Sequence, residues 1–188
     1  MPPHGNNGSA AIDGNRIFVP VGSTNGATLV CYDKMTGKEL WKAGNDNTAY
    51  SSVQVGTLGG VRQAVHFTAD ALMGVDASNG KILWRIPLKT GAKRHACTPV
   101  IGPDSVVVSS TSIGTQRFNI TKKGADVVAE QAWENKPCKT ILGTPTLLGK
   151  NLSPSDPAIT PTSSASTSPP APRCGRSPAS ATTPRSPP

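Results

Sequence analysis

The side chains in this sequence that could do chemistry are few and far apart. Cysteines stand at positions 31, 97, 138 and 174, and histidines at 4, 66 and 95. No two cysteines are adjacent or form a CxxC pair, so their spacing offers neither a thiol–disulfide couple nor a zinc site. Cys31 lies in the apolar run Thr28-Leu29-Val30-Cys31-Tyr32 and reads as a small core residue. His66 lies in another apolar run and reads as a strand residue satisfied within its sheet. The densest basic stretch is Lys89, Lys93, Arg94 and His95. Its leading reading is a solvated loop between units; its charge would also suit an anion or a quinone, with Tyr50, Arg94 and His95 the residues nominated for contact with a cofactor. His4, Tyr50 and His95 occupy equivalent approaches to short apolar runs, so they would share one rim. No carboxylate pair or metal-ligand cluster has suitable spacing, so no catalytic residue and no metal ligand is expected. Gly22-Ser23-Thr24-Asn25-Gly26 is glycine-rich but no helix pattern follows it, which argues against a phosphate loop.

The most regular polar residues belong to a repeat. Asp33-Lys34-Met35-Thr36-Gly37-Lys38-Glu39-Leu40-Trp41 returns as Asp76-Ala77-Ser78-Asn79-Gly80-Lys81-Ile82-Leu83-Trp84, 43 residues later. A second marker is a small hydroxyl residue before a short apolar strand, at Ser9, Ser52, Thr98 and Thr144. Two markers with one period indicate a repeat architecture. The motif has a mechanical reading. Asp33 and Asp76, with Thr36 or Ser78 beside them, can hold turn amides. Gly37 and Gly80 supply a positive φ, Lys38 and Lys81 point into water, and Trp41 and Trp84 pack against a neighbouring sheet while their N–H groups seek acceptors.

Each unit reads as four short strands. The first has Ser9–Ile12, Arg16–Val21, Ala27–Tyr32 and Glu39–Ala43, and the second Ser52–Gly56, Arg62–Thr68, Ala71–Val75 and Ile82–Ile86. Asp-Gly, Gly-Gly and Asn-Gly pairs supply hairpin turns. The third has Thr98–Ile101, Ser105–Ser109 and Gln116–Ile120, a turn at Thr121-Lys122-Lys123-Gly124, and Val128–Trp133, with Trp133 the counterpart of Trp41 and Trp84. The expected organisation is a lead-in over residues 1–8 and repeats over 9–152, divided at about 9–50, 51–96 and 97–142, with the start of a fourth at 143–152. From residue 153 to 188 the chain is almost entirely Ser, Pro, Thr, Ala and Arg, with Asp156 its one acidic residue. Such a tail is too poor in apolar residues to offset its ordering entropy, and it reads as disordered. The repeat breaks off inside a unit, which reads as a frameshift or a truncation of a longer protein.

Bulk composition agrees with many short strands. The 188 residues include 19 Gly and 18 Pro, with 16% charged and 4% aromatic residues. The formal charge is +8, but the Lys and Arg residues are scattered and no nucleic-acid-binding motif accompanies them, so no nucleic acid is expected. No run is long and apolar enough for a membrane span, and the first residues do not read as a signal peptide.

The segments 29–41 and 72–84 resemble the blade signature of the PQQ-like, or quinoprotein-type, β-propeller repeat, and the resemblance extends over about residues 5–152. It implies an all-β fold, a partial propeller of about three four-stranded antiparallel blades plus the tail. It also implies a bacterial protein, exported to the periplasm or secreted. The blade motif specifies fold and not activity. The expected function is non-catalytic binding or scaffolding, with no cofactor for this chain and PQQ only in a complete parent protein. The alternative is a fragment of a PQQ-dependent alcohol or sugar dehydrogenase, a family that carries an adjacent cysteine pair absent from this sequence. The partner is an unspecified protein or small molecule, and uncovered blade faces would favour self-association.

Overall fold

The structure, a computed structural model, describes residues 5–88, 90, 93–140, 142–148 and 151–153. The proposed tail, apart from Ser153, therefore lies outside the described residues, as do His4 and Lys89. The described chain contains strands and turns only. β1 (Ala11–Asp13), β2 (Arg16–Ser23), β3 (Ala27–Asp33) and β4 (Glu39–Ala43) form one antiparallel sheet in sequential order. β5 (Gln54–Leu58), β6 (Val61–Phe67), β7 (Ala71–Asp76) and β8 (Ile82–Pro87) form the second. β9 (Val100–Gly102), β10 (Ser105–Ser110), β11 (Gly114–Lys123) and β12 (Asp126–Asn135) form the third, and β13 (Thr146–Leu148) with β14 (Asn151–Ser153) opens a fourth. The first strands β1, β5, β9 and β13 lie against one another from sheet to sheet, so the sheets fan around a common axis as the blades of a partial β-propeller. No helix long and apolar enough to cross a membrane occurs among the described residues.

The three full blades share one irregularity. The outer strand carries an extra residue after the tryptophan pairing, between Cys31 and Tyr32, between Gly74 and Val75, and between Arg117 and Phe118. The residues opposite Cys31, Gly74 and Arg117 are Trp41, Trp84 and Trp133. A bulge at the same register in each blade turns the indole toward the next blade. Gly74 sits beneath the Trp84 ring, and a Cβ at Gly80 would lie 2.8 Å from the Trp41 ring. Trp41 and Trp84 are buried, whereas Trp133 is half-buried on the far side of the third blade.

Two cores lie between blades, not within them. Phe18, Leu29, Cys31, Trp41 and Ala43 of blade one meet Val53, Ala64, Met73, Val75 and Ala77 of blade two. Leu58, Val65, Phe67, Leu72 and Trp84 of blade two meet Val106, Val108, Phe118, Ile120 and Val127 of blade three. Because successive strand residues point to opposite faces, the middle blade has apolar residues on both sides and reads as near-continuous hydrophobic runs. That explains the unbroken burial of residues 71–75 in β7 and 63–67 in β6.

Two sequence expectations are corrected. Residues Thr121–Lys123 are strand, and the β11–β12 hairpin closes on Gly124 and Ala125. Pairing of Thr121 with Val128 and Lys123 with Asp126 extends the ladder into polar, exposed residues that apolar patterning does not detect. Ser9, Ser52, Thr98 and Thr144 each stand two positions before the first residue of their strand and lie in the connections between blades.

Gly74→Ala places a methyl group inside the Trp84 ring, so it is expected to cost about 2 kcal/mol or more through overpacking. Gly124→Ala meets nothing within 4 Å, and its positive φ of 63° limits the cost to about 1 kcal/mol. Guanidinium unfolding of the two variants checks the order.

Candidate functional site

The connections between blades carry the hydroxyl marker, and there each hydroxyl has a fixed task. The Ser9 backbone N–H donates to Ser52 Oγ at 3.0 Å, Ser52 N–H to Thr98 Oγ1 at 3.4 Å, and Thr98 N–H to Thr144 Oγ1 at 3.0 Å. Val53 N–H donates back to the Ser9 carbonyl at 3.2 Å. Each blade therefore latches the backbone of the preceding one through the same residue. Inner-strand packing adds a second lock. A Cβ at Gly56 would stand 2.8 Å from Ile101, and one at Gly102 would stand 3.1 Å from Leu147. The absence of a side chain at these glycines lets the next inner strand approach.

The periodic aspartates lie at the outer turns. Asp33 Oδ1 accepts from Met35 N–H, Thr36 N–H and the Thr36 hydroxyl at 3.0, 2.8 and 2.9 Å. The Thr36 amide and hydroxyl, with the Met35 amide, hold its carboxyl below the ordinary aspartate value. Asp76 accepts from Ser78 N–H and Oγ–H at 2.8 and 2.6 Å and from Asn79 Nδ2 at 3.2 Å. Burial pushes the Asp76 carboxyl up, but these bonds and the Arg16 charge outweigh it and leave it lowered. Gly37 and Gly80, at φ 70° and 79°, close the turns by donating to the Asp33 and Asp76 carbonyls. Lys38 and Lys81 are exposed, and their carbonyls accept from Asp33 and Asp76 N–H. Trp41 Nε1 donates across the blade boundary to the Ala77 carbonyl at 3.3 Å. Trp84 Nε1 donates within its own blade to Gln63 Oε1 at 2.7 Å, and Gln63 Nε2 donates to the Leu58 carbonyl.

Two further carboxylates tie blades together. Asp46, in the connection after blade one, accepts from Arg85 Nε and Nη2 at 3.1 and 2.7 Å and from the Thr68 hydroxyl at 3.0 Å. Its backbone N–H and carbonyl both meet Thr28 Oγ1. Asp13 pairs with Arg62 of blade two, whose hydrogen bond holds that carboxyl below its ordinary value. Sequence reasoning missed both residues, because each occurs once and has no counterpart in the next unit. For Asp46 the only signal was an acidic residue in a short connection flanked by Asn45 and Asn47, and Asp13 was legible only as part of the Asp13-Gly14-Asn15 turn.

The rim residues are partly brought together. Tyr50 N–H donates to the His95 carbonyl at 3.1 Å, which brings the connection 44–53 beside residues 93–99. The His95 ring is fully buried and stacks on Phe67 with centroids 4.1 Å apart. Arg94 is exposed, and Lys93 pairs with Asp70 at 3.0 Å. Burial pushes His95 down to about 4 against the opposing pull of the Ala69 and Leu88 backbone and the Asp70 charge. Burial likewise pushes His66 down to about 4, with Asp46 opposing. His66 Nε2 meets Thr48 Oγ1 at 3.4 Å, whereas its Nδ1 has no hydrogen-bond partner, so the expected satisfaction is half realised. Burial pushes the Cys97 thiol up to about 11, so it is no nucleophile at neutral pH.

An open groove of about 650 Å³ runs across the inner strands. Gln54, Val55, Thr98, Pro99 and Ile101 line one part, and Thr144, Pro145, Thr146 and Leu147 the other. Tyr50, Arg94 and His95 lie outside its lining. Hydroxyl, amide and apolar side chains can bind a ligand there, but they offer no acid–base pair.

Replacing Thr98 by Val keeps the side-chain shape and removes the acceptor for Ser52 N–H; the expected loss is about 1 kcal/mol in urea unfolding. The buried histidines set an acid limit. Above about pH 6.5 both folded and unfolded states hold them neutral, so they have no effect. As pH falls toward 4 the unfolded chain binds protons that the native state refuses, and stability declines by up to roughly 3 kcal/mol per histidine. The lowered aspartates lose their contribution only at still lower pH. Urea midpoints should therefore fall between pH 7.5 and 4.5, and a flat profile contradicts the burial of these rings.

Comparison with known proteins follows the same geometry. A family model described as outer membrane protein assembly factor BamB matches residues 2–58 and 44–163. The designed protein Ika4, known from its crystal structure, superposes with a TM-score of 0.53 at 10% identity, over 83% of this chain and 90% of its own. That likeness concerns fold alone. No curated protein matches. With repeating blades, inter-blade cores and a family match over most of its length, this chain belongs to the BamB, PQQ-like repeat family.

Proposed function

We propose that this chain is a non-catalytic binding module that presents its inner-strand groove and its uncovered blade faces to partners. The observation that supports this reading is the use made of its repeating polar residues. Asp33 and Asp76 are occupied by turn amides, and Ser52, Thr98 and Thr144 by amides of the preceding blade. Its described histidines are buried and neutral near pH 7. These groups build the scaffold and leave no periodic set to perform chemistry on a substrate. The groove offers threonine hydroxyls beside proline and aliphatic side chains, a surface suited to an extended polypeptide. The family description, an outer membrane protein assembly factor, makes a polypeptide the first ligand class to test.

Titration of the purified chain with PQQ and Ca²⁺, followed by calorimetry, is expected to show no saturable binding up to about 100 μM, far weaker than cofactor sites of nanomolar to micromolar affinity. Dye-linked oxidation of alcohols or sugars should stay at background. Saturable quinone binding with activity would replace this reading with the oxidoreductase one.

A further inference from the structure

The face of blade one turned away from blade two is uncovered among the described residues. The strand registers place Ile12, Ile17, Val19, Val30 and Tyr32 on it, with Val21 at its margin. Ile12 is 64% exposed and Val21 38%, Ile17, Val19 and Tyr32 are half-buried, and Val30 in the middle of the sheet is buried, whereas Val106 and Val108, the counterparts of Ile17 and Val19 in blade three, are fully buried. The outer strand adds Glu39, opposite Tyr32, and Lys42, opposite Val30, both exposed on this same face. This is a blade face with the chemistry of an inter-blade joint and no blade against it.

We propose that this face binds the same face of a second copy, about a two-fold axis that runs radially through the joint. Two observations select this occupant and this symmetry. First, blades are wedges, with inner strands close together and outer strands apart. Of the two-folds that bring two such faces together, the radial one keeps inner strand on inner strand, so the arc continues around one axis. Second, that operator stacks each outer strand antiparallel on its mate, and Glu39 of one copy then faces Lys42 of the other. Opposite charges across an isologous joint fix register and partner.

The joint is small. Four strands at about 4.8 Å spacing and about 20 Å long offer roughly 400 Å² per copy, about half the usual specific interface. A joint of this size points to a weak dimer, to be sought at tens of micromolar protein. This proposal rests on the binding-module reading, but its test does not involve quinone.

Sedimentation velocity of the full chain between about 5 and 100 μM is expected to show a reversible monomer–dimer equilibrium at the concentrations a small interface implies. Val21→Glu should weaken it more than about tenfold by burying a charge in the joint. Lys42→Glu and Glu39→Lys alone should each weaken it about fivefold, and the double variant E39K/K42E should return to within about twofold of the parent. Both positions are exposed, so far-UV circular dichroism should be unchanged. A monomer throughout this range, a dimer indifferent to Val21→Glu, or a double charge swap that fails to restore association would each overturn the proposal.

Discussion

A four-stranded sheet with apolar side chains on both faces has no stable form alone, and the chain depends on resolving that constraint. Blade two resolves it by being enclosed. One face closes on blade one through Ala64, Met73 and Val75, and the other on blade three through Val65, Phe67 and Leu72. Burial drives the faces together but is non-directional. The angle and height of each blade are set by the hydroxyl latch, the inner-strand glycine and the tryptophan at the bulge. These devices act at inner and outer radius, so together they resist sliding and splaying. Asp46 with Arg85 and Asp13 with Arg62 add polar ties at the edges of the first joint.

This division of labour bears on function. In a repeat protein, a polar residue that recurs at fixed spacing invites a catalytic or ligand-binding reading. Here the recurring aspartates and hydroxyls satisfy backbone amides, which would otherwise be unpaired where a strand ends or a blade begins. The described histidines lie in apolar surroundings that keep them neutral, and Cys97 is held as a thiol. Under the proposed binding role, the surfaces available to partners among the described residues are the groove along β5, β9 and β13 and the outward face of blade one.

Much of the fold was legible because its devices repeat. The Asp33–Trp41 and Asp76–Trp84 segments identify the outer hairpin, and Trp133 is recognisable by its place on the outer strand even though its turn has lost the aspartate. The hydroxyl marker was visible at Ser9, Ser52, Thr98 and Thr144, but its role was not. A strand-opening residue and an inter-blade acceptor look alike until the two connections are set side by side. Gln63 was silent for another reason. Its bond to Trp84 substitutes within one blade for the inter-blade carbonyl that serves Trp41, so it has no periodic counterpart. The rim set was legible only as a neighbourhood. Tyr50 and His95 are adjacent through their backbones, yet the His95 ring turns inward onto Phe67, a direction that residue spacing does not encode.

The latch is the central claim, and amide hydrogen exchange followed by NMR tests it most directly. Thr98 N–H is bonded to the Thr144 hydroxyl and to no ladder partner, so Thr144→Val should accelerate its exchange about tenfold while the Phe118 amide inside blade three keeps its protection. Unchanged Thr98 exchange in that variant would contradict the account, because it would mean that the blades are held in place without the hydroxyl.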